Sequence, residues 1–169
     1  MDAGLLIARL ILGLALSAHA VQKLFGWFGG HGLKGTGAYF DGLGFRPGVL
    51  FALAAGLGEL GGGVLTAVGL FGPVGPALII LVMLVAMVSV HWTHGFFTSS
   101  NGIELPLMYL TAALVLAFAG PGAYSLDGLV GFAAHPNPAT AWIAIAVAAG
   151  VALANIALRR HAPAQAHRA

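Results

Sequence analysis

Five apolar runs, at residues 4–24, 49–70, 75–92, 103–119 and 139–158, dominate the chain and alternate with short polar or glycine-rich breaks. Each approaches the ~20 residues that a helix needs to cross a hydrocarbon core. The third and fourth are short, so polar ends or tight packing must help them fit. Between the runs stand turn-forming clusters: Gly72-Pro73-Val74-Gly75-Pro76, Thr98-Ser99-Ser100-Asn101-Gly102, Gly120-Pro121-Gly122 and Pro136-Asn137-Pro138. The predicted fold class is all-α, a polytopic membrane helix bundle. The first run is read as an uncleaved span, since a signal peptide wants a positive start and here Asp2 precedes the run while Arg9 lies inside it.

The second run carries one carboxylate, Glu59, at its centre. Ala55, Gly56, Gly62 and Gly63 share its helical face, and Ala54, Gly58 and Gly62 make a neighbouring row of small residues suited to close helix approach. A carboxylate in hydrocarbon costs about 2.5–3.5 kcal/mol on insertion scales, so Glu59 must face protein and needs a partner. Span one offers Arg9, His19 and Lys23, which fall within about 80° on a helical wheel as one basic stripe. Lys23 and Arg9 can also snorkel to the membrane surface. Span three offers Met83, Met87, His91 and His94, expected on roughly one face, with His91 reaching Glu59. Two histidines three apart can ligate a metal or haem, but nothing completes a set. No metal site is therefore expected; were haem or a metal bound, His91, His94 and His19 would be its ligands. Asn101 and Glu104 fit a capping box opening span four, and Glu104 can alternatively turn toward His91 or His94. Ser125 is a further cap candidate.

Composition reinforces the class. The chain has 169 residues, 59% of them hydrophobic and 7% charged, against about 25% charged in a soluble domain. Cysteine is absent, which excludes disulfides and thiol redox chemistry. A formal charge of +2 is too small and scattered for a nucleic-acid partner. Lys23 at the end of the first run, Lys34 and Arg46 in the first loop, and Arg159, Arg160 and Arg168 in the tail all lie on one side, while the other side can claim at most Arg9. Positive-inside places that loop and the C-terminal tail in the cytoplasm, with the N-terminus outside. The loop at 25–47 alternates aromatic residues with glycines, as an interfacial belt would, with a short amphipathic turn expected around 33–43.

Arg9, then HAVQKLFGWFGGHG, GELGGGVLTAVGLF, HWTHGFF, NGIELPLMY and GPGAYSLD, in that order, resemble the DoxX family over about residues 5–128. The resemblance implies a small bacterial inner-membrane protein. It implies a four-helix core, taken as 1–135 with the interfacial loop at 25–47; the fifth run lies outside the match and adds a transmembrane helix at 136–158, followed by a polar tail at 159–169 expected to be disordered. It also implies a link to quinone-coupled oxidation and to membrane oxidoreductase complexes. Arg9, His19, Lys23, Glu59, His91 and Glu104 fall on the family's polar motifs. The leading expectation is a component of a quinone-linked oxidoreductase system, with quinone as cofactor and a partner redox subunit or a homo-oligomer in the lipid bilayer. In it Glu59, His91 and His19 are the catalytic candidates, while Arg9, Lys23, Glu104 and Trp92 bind the quinone or build the polar cluster. The alternative is a non-catalytic scaffold or assembly subunit whose buried ion pairs fix helix register. A small transporter is a minor third reading, as the chain is short and shows no repeat of broken helices.

Overall fold

The computed structural model describes residues 2–131 and 137–159. All regular structure there is helical: α1 (Asp2–Phe25), α2 (Gly32–Gly42), α3 (Gly48–Val68), α4 (Val74–Ala86, continuing to His94), α5 (Glu104–Ala119), the single turn α6 (Leu126–Leu129) and α7 (Pro138–Ala157). Four helices, α1, α3, α4 with its extension and α7, are long and apolar enough to cross a membrane by length and composition. The apolar α5 is shorter, with 16 residues and so about 24 Å of rise. The protein is a multi-pass membrane helix bundle.

Glycine sets how closely the helices cross. Gly13 of α1 lies on Gly63 of α3, where an added Cβ would stand 2.6 Å from Gly13 O and 2.6 Å from Ser17 Oγ. Eleven residues further along α1, Leu24 packs on Gly56, so the two helices run antiparallel. About 100° round α3, Gly62 admits Gly75 and Ile79 of α4. Removing side chains at a crossing lets backbones approach and dispersion contacts accumulate, which is how helices associate in a solvent as apolar as they are. Leu12 and Leu16 of α1, Ile79, Ile80 and Met83 of α4, Leu116 of α5 and Ala148 of α7 form the central core. α7 packs through small residues, Ala141, Ala148 and Ala152, and sets Trp142 edge-on to Phe118 of α5 at 4.9 Å between ring centres.

The ends are tied by specific hydrogen bonds. Ser125 caps α6 by accepting from Gly128 N at 3.0 Å, and Asn137 caps α7 by accepting from Ala139 N at 2.9 Å. The expected capping box at α5 does not form. Asn101 adopts a left-handed backbone (φ 64°), incompatible with the extended geometry of an N-cap, and α5 starts at Glu104 after Ile103. The Glu104 carboxylate instead accepts from Thr98 N at 2.8 Å and pins the loop before α5. Most of the expected polar tail, residues 160–169, lies outside the described residues.

Substituting Gly63 by Ala is expected to destabilise the bundle by about 1–3 kcal/mol through overpacking at the α1–α3 crossing. Gly61→Ala, whose Cβ meets only Leu78 at 3.7 Å, is the control and should be neutral. Thermal unfolding in detergent checks both; equal midpoints for the two variants would refute the close crossing.

Candidate functional site

Glu59 is 1% exposed, and its partner is Lys23. One carboxylate oxygen, Oε1, accepts from the Lys23 ammonium, while Oε2 is buried with no hydrogen-bond partner. The pairing depends on where α1 stops. Leu24 seats on Gly56, so the last turn of α1 draws level with the middle of α3, and Lys23 needs only its own length to reach Glu59. Thr36 of α2 donates to Lys23 O at 3.3 Å and braces that turn.

Lys23 is the hinge between this pair and a cavity of about 930 Å³. The last turn of α1, α2, the first half of α3, α4 and the end of α7 enclose it. Phe45, Phe51, Leu78, Val82 and Val85 make much of its apolar wall, together with Ala54 and Gly58 of the small-residue row. That row therefore serves two purposes: Gly62 brings α4 close, while Ala54 and Gly58 leave space. Lys23, Ser89, His91 and Asn155 bring polar groups to the wall, and Ser89 Oγ is buried without a partner.

His91 reaches the cavity because α4 is not regular there. Residues Met87–His91 form a π-turn, followed by a tighter turn at Trp92–His94. In an uninterrupted α-helix His91 would lie about 140° round from Ala86. A turn closed by i→i+5 bonds brings it back above that residue, and Ala86, Ser89, Val90 and His91 all line the cavity. The expected single face of Met83, Met87, His91 and His94 is thereby broken. Met83 is core, His91 lines the cavity, and exposed His94 turns back on its own helix, Nδ1 to Val90 O at 2.8 Å. His91 Nδ1 lies 2.7 Å from Asn101 O. A carbonyl only accepts, so that nitrogen carries the proton and Nε2 is the one free to exchange.

The basic stripe of span one separates into three environments. His19 packs edge-on against Tyr109 of α5, with ring centres 6.1 Å apart. Arg9 lies about 21 Å from Lys23 along the helix and is 2% exposed at the opposite end of the bundle. There its guanidinium donates to Tyr124 O and packs on Gly69, where any Cβ would collide with it. Asp127 anchors the same end, accepting from Phe71 N at 3.1 Å and Gly72 N at 2.6 Å. Arg9 therefore does not join Glu59. Neither does His91, whose Nδ1 is turned to the loop carbonyl of Asn101. Glu104 is held by Thr98, and Trp92 is 64% exposed outside the cavity. Of the residues singled out from sequence, the structure pairs Lys23 with Glu59 and places Lys23 and His91 on the wall of one cavity. Reading the sequence missed Ser89, Asn155 and the buried carboxylate role of Asp127. Asn155, an amide inside an otherwise apolar run, was a usable signal. Among the described residues no three His, Asp or Glu side chains gather as a metal would require.

A membrane helix bundle with an internal ion pair beside a largely apolar cavity is thus the class that fold and site define. The DoxX family model matches residues 4–92, just over half of the chain, and the protein belongs to the DoxX family. No curated protein and no solved structure matches the chain.

Replacing Lys23 by Met strands a buried carboxylate and is expected to cost about 3–5 kcal/mol of stability. The double variant Lys23→Met, Glu59→Leu should recover most of that loss, because apolar side chains of similar size replace a buried pair at little cost. Equilibrium denaturation of the single and double variants in detergent measures the difference; purely additive losses would show that the two residues do not interact.

Proposed function

We propose that the protein is a component of a quinone-linked membrane oxidoreductase system and that the cavity receives the quinone. One observation carries this reading: an apolar cavity of about 930 Å³, large enough for a ring and part of a tail, has Lys23, Ser89 and His91 on its wall. Ligand sites of this kind are mostly apolar, with a few polar groups that fix orientation.

The residues present suit such a head group. Lys23 has three N–H bonds and directs one to Glu59, and its side chain is 31% exposed. Ser89 Oγ is buried at the wall without a partner and can donate to a carbonyl. When bound, a quinone supplies reversible two-electron, two-proton chemistry. In this reading Lys23 and Ser89 orient the carbonyl oxygens, and Glu59, set behind Lys23, holds the ammonium in place. His91 exchanges a proton through Nε2. The walls formed by Phe51, Leu78, Val82 and Val85 exclude water and grip the tail. Electrons come from a bound cofactor or a partner redox subunit, since the sequence carries no dinucleotide fingerprint and no cysteine pair. Arg9, His19, Glu104 and Trp92 serve the fold and the membrane interface rather than the reaction. By the distribution of Lys and Arg, the cavity end faces the cytoplasm of a bacterial plasma membrane.

The scaffold reading has its own support, because the Lys23–Glu59 pair lies on the α1–α3 contact and fixes its register. The two readings part on Glu59→Gln. Purified wild-type protein is expected to carry extractable quinone. The variant should stay folded while its quinone-linked turnover falls about ten-fold, the scale of a lost charged hydrogen bond. Quinone extraction, circular dichroism and turnover with the native partner decide the matter. Quinone-free wild type, together with a Glu59→Gln protein that loses its partner, would favour the scaffold.

A further inference from the structure

We infer that Asn155 of α7 selects the ligand's head group, donating a hydrogen bond from its carboxamide to a carbonyl oxygen inside the cavity. The inference rests on the quinone reading above and extends it to a wall supplied by a part of the chain beyond the family match at 4–92.

α7 is almost wholly apolar over its 20 residues. Of its other hydrogen-bonding side chains, Thr140 is satisfied in the first turn by Asn137 O at 2.7 Å, and Trp142 is largely exposed with its ring against Phe118. Asn155 differs. It is half-buried, its carboxamide makes no hydrogen bond among the described residues, and it lines the cavity together with Val151 one turn earlier. Residues four apart share a helix face, so α7 shows the cavity one methyl-bearing side chain and one amide. An amide in an apolar helix needs a polar partner, and a ligand carbonyl is the partner this wall can offer.

The end of α7 is also held in register. Arg159 Nε donates to Leu43 O at 2.6 Å, joining the end of α7 to the C-cap of α2, and Leu43 is itself a wall residue. Charge balance fits a neutral head. Glu59 neutralises Lys23, so an anionic head group would find little net attraction from that pair, whereas a neutral carbonyl needs only the N–H donors that Lys23 and Asn155 present.

Two probes of equal tail length test this on the full chain in detergent: a decyl-substituted benzoquinone and decylbenzene, which lacks the carbonyls. Asn155→Leu should weaken the quinone roughly five- to ten-fold, the scale of one hydrogen bond, and leave decylbenzene unchanged. Equal weakening of both probes would mean that Asn155 only shapes the wall, and would overturn the inference. So would unchanged quinone affinity in the variant. If wild-type protein fails to prefer the quinone over decylbenzene, the quinone reading itself falls, and this inference with it. Asn155→Gln, which keeps the amide one methylene further out, should recover part of the preference.

Discussion

A carboxylate placed midway along a membrane helix must be answered from inside the bundle, and the Lys23–Glu59 pair is that answer. Much of the neighbouring architecture follows from it. α1 ends level with the centre of α3 so that a lysine in its last turn can reach, and Gly56 makes room for the adjoining Leu24. Because α1 ends there, α2 and the aromatic loop fill the remaining width, and the space they do not fill is the cavity. Breaking a buried pair on one side costs about 3–5 kcal/mol, a large part of the 5–15 kcal/mol that holds a typical domain together. The pair is thus a structural lock, and its lysine is part of the wall of the candidate site.

The far end of the bundle obeys the same rule by other means. Arg9 is as deeply buried as Glu59, yet its guanidinium meets a backbone carbonyl, with the Asp127 turn close by. Asp127 in turn spends its oxygens on the amides of the α3–α4 turn. Two polar centres therefore brace the bundle, one at its end and one midway along α3. The apolar core of Leu16, Ile79 and Leu116 lies in the helices that run between them.

How much of this was legible depends on the range of the interaction. The spans were readable because each is a long run of one character, and the observed helices begin and end within a few residues of the runs. Glu59's need for a partner was equally plain, since the cost of an unpaired carboxylate is a property of the residue. Which partner it took was not. That depends on where α1 stops relative to α3, a matter of glycine crossings that a helical wheel ignores. The wheel gave Arg9, His19 and Lys23 a common direction and left their different depths out of account. At Asn101 a local pattern matched a capping box, but the loop needed a left-handed residue there. Ser89 was hidden by being small; Asn155 stood out in its run and its position against α4 did not.

The π-turn in α4 means that this helix keeps two registers. The half before it meshes with the core through Ile79, Ile80 and Met83 and walls the cavity with Leu78, Val82 and Val85; the turn itself brings His91 to the same cavity. The extra residue works as a rotational offset between packing and chemistry. Removing a single residue from 87–91 would leave every core contact upstream in place and turn the imidazole away from the wall. One helix thus joins the core and the cavity in a rotational relation that a regular α4 would not have.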